Sequence, residues 1–283
     1  MAEPLTGEPG LGPAARQVHV EPVMGTVVSF DIRAPFVPQP AIDAACTVLH
    51  DVDCRFSLYR PDSELGRLGT GSIVEADLSP DVRWVLGACD ELARTSDGAF
   101  DARRHRLDGI VDPSGFVKGW AVEEAARNLD AAGAANYLVI AGGDILARGE
   151  RAPGQRWQIG IRHPEIADEI AAVLAIGRGA LATSGLYERG DHIRDPRTGA
   201  TPRGLLSFTV VGLDLAWADA YATAGFVMGL DGLAWVESHS GYGAMAITAG
   251  HEVVWTPRAD GLRVDPAVAV GTISGTSQAE ALS

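Results

Sequence analysis

Asp219 and Thr223 stand four residues apart in the run Ala216-Trp217-Ala218-Asp219-Ala220-Tyr221-Ala222-Thr223-Ala224. On a helix that spacing puts both on one face. A carboxylate and a hydroxyl presented together are hard oxygen donors of the kind Mg²⁺ prefers. The same spacing suits a solvent-facing Asp beside a Thr bonded back to its own helix. A second group lies in residues 180–199, ALATSGLYERGDHIRDPRTG. Its density of turn residues reads as a site loop, with Thr183-Ser184-Gly185, an isolated His192 and Asp195-Pro196-Arg197-Thr198-Gly199 in close order. Arg189, Arg194 and Arg197 would give an anionic ligand such as a phosphate a local home, although residues 195–199 alone are ordinary solvated turn chemistry. A third group, Asp112-Pro113-Ser114-Gly115-Phe116-Val117-Lys118-Gly119, reads as a small-residue turn feeding a helix whose N-terminus offers free N–H groups to phosphate oxygens.

The elements that must position these groups follow from periodicity. Residues 18–23 and 26–32 are β-branched-rich runs joined at Met24-Gly25. From 40 to 56 the apolar positions Ile42, Ala45, Cys46, Leu49, Val52 and Phe56 recur at helical spacing behind a proline. Ser63 or Asp62 can cap a short helix over 64–68. Ser79-Pro80 opens another, with Val82, Val85, Leu86, Cys89 and Leu92 on its inner face. A helix also runs through Val122, Ala125, Ala126 and Leu129 to Gly133. Residues 136–141 read as a strand, closed by Gly142-Gly143-Asp144, which lacks dinucleotide-fingerprint spacing and is read as a tight turn. Residues 157–161, 170–176, 206–211, 244–248 and 252–255 read as further strands. Hairpins interleaved with helices predict an α+β fold with mixed or antiparallel sheets flanked by helices.

Composition bounds the partners. With 283 residues and 46% hydrophobic content the chain can build a full core. A net charge of −14, from 23 basic and 37 acidic residues, would repel a nucleic-acid backbone. An anionic substrate then needs local arginines or a bound divalent ion. Cys46, Cys54 and Cys89 form no Cys-x-x-Cys pair and are read as buried thiols, with no zinc site visible. Residues 1–17 hold no apolar run of seven, so neither a secretory signal nor a membrane anchor is expected there, and a cytoplasmic protein is. No P-loop and no His-Glu-x-x-His motif is present. The expected organisation is a disordered segment over 1–17, one domain over 18–275 and a tail over 276–283.

Four stretches in order resemble the ApbE family, the FAD:protein FMN transferases. They are Met24-Gly25-Thr26, Tyr59-Arg60-Pro61-Asp62-Ser63-Glu64-Leu65, the Ala-Thr-Ser-Gly, Tyr-Glu-Arg, His-Ile and Asp-Pro-Arg-Thr-Gly pieces of residues 180–199, and Trp217-Ala218-Asp219-Ala220-Tyr221-Ala222-Thr223-Ala224. Gly98-Ala99-Phe100-Asp101 adds a smaller match. The resemblance implies one domain of two lobes with the nucleotide between them. It implies a Mg²⁺-dependent transferase that moves the FMN half of FAD onto a Thr or Ser hydroxyl of an acceptor protein and releases AMP. The same machinery with water as acceptor would be an FAD pyrophosphatase giving FMN and AMP, and without turnover a non-catalytic FAD carrier.

Residue by residue, the resemblance implies that Asp219, Thr223 and the Ala222 carbonyl hold the metal, with a further carbonyl from Gly115. Asp219, Thr223 and His192 would be the catalytic set, His192 as base toward the incoming hydroxyl. Met24, Tyr59, Ser63, Glu64, Ala99, Phe100, Asp101, Asp112, Lys118, Thr183, Ser184, Gly185 and Ile193 would contact FAD. From the residues alone, Met24 and Tyr59 would be core packing and Ser63 and Glu64 helix caps. Ser114 replaces a family glycine, Arg194 replaces an apolar residue, and the segment between Arg189 and His192 is shorter than in the family.

Overall fold

The chain opens on a β-hairpin, β1 (Arg16–Val23) and β2 (Thr26–Arg33), turned by Met24 and Gly25, both at positive φ. This computed structural model describes residues 16–33, 35, 37–104, 106, 109–166, 169–185 and 193–264. Three helices follow, α1 (Gln39–Phe56), α2 (Glu64–Gly69) and α3 (Pro80–Thr95); α1 and α3 bury the stripes that their apolar spacing predicts, and the short α2 buries Leu65. The long α4 (Ser114–Ala131) precedes the tight hairpin of β3 (Tyr137–Ala141) and β4 (Asp144–Arg148), where Gly142 and Gly143 supply the two positive φ angles. Then come β5 (Trp157–Arg162), β6 (Ile170–Ile176), β7 (Gly179–Gly185), β8 (Leu205–Gly212), α5 (Leu215–Met228), α6 (Asp231–Glu237), β9 (Gly243–Thr248), β10 (Val253–Trp255), α7 (Pro257–Asp260) and β11 (Arg263–Val264).

The strands form an eight-stranded sheet in the order β1-β2-β3-β4-β7-β8-β9-β10 and a three-stranded sheet in the order β11-β6-β5. All the strand pairs described are antiparallel, so the expected α+β class holds with the antiparallel choice. One core lies between the large sheet and helices α1 to α6. A second lies on the opposite face, where Ala147, Leu181, Val211, Met245 and Ile247 meet Trp157, Ile159 and Leu174 of the small sheet. No helix among the described residues is long and apolar enough to cross a membrane.

Three expectations are corrected. Residues 180–185 are not loop but strand β7 in the middle of the large sheet, with Ala180, Leu181 and Ala182 buried. A central strand is covered on both faces, so its small residues show no alternation to read. Helix α4 begins at Ser114, so Gly115 and Lys118 lie in its first turns and not in a preceding loop. Cys54 is exposed, because on α1 it falls opposite the stripe that buries Cys46. The predicted segments 1–17 and 276–283 lie outside the described residues, apart from Arg16 and Gln17, which belong to β1.

Candidate active site

Helix α5 carries Asp219 and Thr223. Its N-cap is Asp214, whose carboxylate accepts from the Trp217 N–H at 3.2 Å, and it ends at Gly229 with φ 71. Both long faces are packed, on α4 and on strands β7 and β8, so Asp219 is only 5% exposed. That burial removes the solvent-facing alternative. An ionised carboxylate in such a place needs a cation.

Helices α4 and α5 approach backbone to backbone at Gly119, where a Cβ would stand 2.5 Å from the Leu215 carbonyl oxygen. Farther along the same crossing, a Cβ on Gly115 would lie 3.5 Å from Thr223 Oγ1 and 3.2 Å from the Phe100 ring. A side chain at Gly115 would crowd the Phe100 ring and touch Thr223. Neither Gly115 nor Ser114 has positive φ, so the serine that replaces a family glycine costs the backbone nothing. The Ser114 N–H donates to Asp112 Oδ1 at 3.1 Å, which closes the entry to α4.

The close crossing lets α4 bridge two neighbours at two levels. Lys118 Nζ lies 2.5 Å from Asp144 Oδ2 on β4 and 3.6 Å from Asp219 Oδ2 on α5. Five residues on, Glu123 Oε2 meets Arg148 of β4 at 2.9 Å, while its Oε1 accepts the Leu215 N–H of α5 at 2.9 Å. Burial pushes the Glu123 carboxyl up, and Arg148 and the Leu215 N–H pull it back. Asp144 and Arg148 stand at i and i+4 on one strand face and so reach the same helix. Glu123→Ala would leave Arg148, 6% exposed, as a buried cation without its carboxylate. Its expected cost is about 3–5 kcal/mol in urea unfolding; a loss below 1 kcal/mol would show that the pair does not hold α4 in place.

Strand β7 completes the corner. The Thr183 N–H donates to Asp144 Oδ1 at 3.3 Å, Thr183 Oγ1 shares a hydrogen bond with Thr209 at 2.9 Å, and Ser184 Oγ shares one with Thr223 Oγ1 at 3.2 Å. The donors on the α5 side of this corner are all oxygens: the Asp219 carboxylate and the Thr223 and Ser184 hydroxyls, with the Gly115 backbone beside Thr223. Such a set fits Mg²⁺ or Ca²⁺ and not a thiophilic ion. Ala222, fully buried inside α5, has one carbonyl lone pair to spare beyond its helical bond.

The other expected residues fall in two sets. Ala99 and Phe100 are buried beside the start of α4, and Ile193 is buried in the main core. Met24, at φ 54, occupies the left-handed region without being glycine, a strain that functional turns tend to hold. Asp101 accepts from the Arg103 and Arg104 N–H groups, and Asp112 from Ser114. Ser63 spends its hydroxyl on Ser57 O (2.6 Å) and the Gly66 N–H (2.8 Å), capping α2 as its position suggested, whereas Glu64 accepts the Ser79 N–H at 2.6 Å and so ties α2 to the start of α3 and does not cap its own helix. Tyr59 is 95% exposed, which corrects its reading as core packing; a ring just past the end of α1 has nothing above it. Arg197 is engaged by Asp195, and Arg194 donates to Gly199 O. Arg189 and His192 lie outside the described residues.

Asp144, Glu123 and Arg148 were missed by sequence reasoning. The signal for the two charges on β4 was present: Asp144, Leu146 and Arg148 alternate onto one face of a strand that should otherwise be apolar.

A sequence profile of the ApbE family matches residues 24–110 and 102–246. The FAD:protein FMN transferase of Haemophilus influenzae is 28% identical over 246 residues, covering 65% of this chain and 71% of that protein. The protein of the same name from Vibrio cholerae is 28% identical over 279 residues, covering 76% and 82%. Among solved structures, the flavin transferase ApbE from Vibrio cholerae superposes with a TM-score of 0.78 at 23% identity, over 88% of this chain and all of that one. The ApbE protein from Thermotoga maritima gives 0.78 at 22%, over 89% of this chain and 100% of its own. These two likenesses establish a shared fold, and the profile runs through both α4 and α5: the chain belongs to the ApbE family.

Proposed function

We propose that this chain, a transferase enzyme, moves the FMN half of FAD onto a Thr or Ser hydroxyl of an acceptor protein, with Mg²⁺ at the corner between α4, α5 and β7. The observation that supports this reading is the all-oxygen set of buried Asp219 and Ser184 and half-buried Thr223 beside Lys118, itself shared between Asp144 and Asp219. Asp219 and Thr223, with the Gly115 and Ala222 carbonyls, would hold the cation. When bound it would supply charge neutralisation for the pyrophosphate, which phosphoryl transfer needs more than covalent help. Lys118 would add a fixed positive charge beside the phosphate oxygens. The acceptor oxygen forms its bond to the FMN-side phosphorus as the pyrophosphate P–O bond breaks, and AMP leaves with the bridging oxygen.

The hydroxyl proton must go to a base, and His192 is assigned that role. His192→Ala is then expected to lower single-turnover transfer by about 10²-fold with FAD affinity unchanged, and to lose the acid limb of the wild-type pH profile. Weaker FAD binding with the limb intact would make it a binding residue instead.

Thr223→Val keeps the shape and removes one neutral donor. The expected result is a roughly tenfold higher Mg²⁺ requirement, with the rate at saturating Mg²⁺ little changed. An unchanged Mg²⁺ requirement would remove Thr223 from the ligand set. The function itself is tested by incubation with FAD, Mg²⁺ and candidate acceptor, monitored for flavin that stays with the protein after denaturation. AMP release at the same rate with no acceptor present would mark the chain as a pyrophosphatase.

A further inference from the structure

Strand β1 is built inside out. As the edge strand of the large sheet it turns Val18 and Val20 to solvent, at 51% and 54% exposure, and points His19 and Glu21 inward toward α1. A strand that only had to pack would do the reverse. On α1, Cys46 and His50 stand at i and i+4 on the face that meets this strand. His19 Nε2 lies 3.1 Å from Glu21 Oε2 and 3.2 Å from Cys46 Sγ, and His50 Nε2 lies 2.7 Å from Glu21 Oε1. Ligand atoms of His19, Glu21 and Cys46 all fall within 4.8 Å of one another.

We propose that His19, Glu21 and Cys46 form a binding site for a thiophilic divalent cation of the Zn²⁺ class, separate from the oxygen-donor corner at Asp219. The donors are one imidazole, one carboxylate and one thiol. Zn²⁺ bonds of about 2.0–2.3 Å in a tetrahedron put neighbouring ligand atoms roughly 3.3–3.8 Å apart, so separations of 3.1 and 3.2 Å need only small side-chain shifts to admit the ion. His50 holds the second carboxylate oxygen and so orients Glu21, the outer partner that ligating carboxylates take. The tilted contact of the His19 ring with Phe30, 6.0 Å between centroids, limits its rotation in the same way. Thiolate and carboxylate together cancel the charge of the ion. On binding, the Cys46 S–H bond breaks, its proton goes to solvent, and sulfur bonds to the metal.

Burial, and after it the Glu21 carboxylate, push the free Cys46 thiol up to about 11. It therefore stays protonated at neutral pH until a cation displaces the proton. The sequence did not show this site because its two halves, His-x-Glu on a strand and Cys-x-x-x-His on a helix, are brought together only by the packing of α1 on β1.

The test uses the full chain stripped of metal with a chelator and titrated with Co²⁺ alone. A thiolate-to-cobalt charge-transfer band in the near ultraviolet should rise and saturate at one equivalent. It should be lost in Cys46→Ser and bleached by added Zn²⁺. Cys54→Ser and Asp219→Ala should keep it, which separates the site from the other thiol on α1 and from the active-site corner. Zn²⁺ should also raise the thermal midpoint of the wild type and leave that of Cys46→Ser unmoved. No band in the wild type, or a band that persists in Cys46→Ser, would overturn the proposal, and the first of these needs no variant to fold.

Discussion

Asp219→Ala is expected to cut FMN transfer by about 10³-fold or more. The carboxylate is the only charged donor in the proposed ligand set, and a divalent ion offers several kcal/mol of charge stabilisation that one hydroxyl and two carbonyls cannot recruit alone. The fold should survive the change. Lys118 keeps Asp144 at 2.5 Å when Asp219 is gone, so no buried cation is stranded, and alanine is the strongest helix former in an alanine-rich helix. The check is a transfer assay across Mg²⁺ concentrations together with circular dichroism. Near-wild-type activity at saturating Mg²⁺ in a folded variant would remove Asp219 from the chemistry.

Gly119→Val should be the most damaging single change to stability. A Cβ there stands 2.5 Å from the Leu215 carbonyl oxygen and 2.7 Å from the Ala216 Cα, both backbone atoms with no rotamer to yield. Overpacking against mobile side chains costs about 1–3 kcal/mol, and a clash with two helix backbones belongs above that range. It must also part α4 from α5, drawing Lys118 from Asp219 and Glu123 from the Leu215 N–H. We expect a fall of more than about 3 kcal/mol in urea unfolding, and transfer activity lost even where the protein still folds. A valine variant of native stability would mean that the two helices do not cross as described.

The sequence was most informative where one face of an element is dry and the other wet. The buried stripes of α1 and α3 emerged residue for residue, as did the hairpin at Met24-Gly25, while at Gly142-Gly143 the tight turn was legible but the strand β4 that follows it was not. It was least informative where both faces are covered. Strand β7 looks like a loop because Ala, Thr, Ser and Gly carry no periodicity, and the burial of Asp219 was invisible because α5 is apolar all round. Asp219 and Thr223 could be singled out by spacing, but nothing local says that Lys118, a hundred residues earlier, is the cation that meets Asp219. That pairing depends on Gly119, whose role is to be absent from the gap between two helices. The ion-pair levels at Asp144 and Arg148 needed the strand register, which pattern reading does not supply.

The most direct measurement of the central claim is intact-protein mass spectrometry of an acceptor protein incubated with this chain, FAD and Mg²⁺. AMP is quantified in the same samples. The account predicts an acceptor heavier by one FMN less water, the flavin mapped to a Thr or Ser, AMP released in equal amount, and neither product with Asp219→Ala. AMP appearing at an undiminished rate with no acceptor present, or flavin attached equally well by the Asp219→Ala variant, would contradict it.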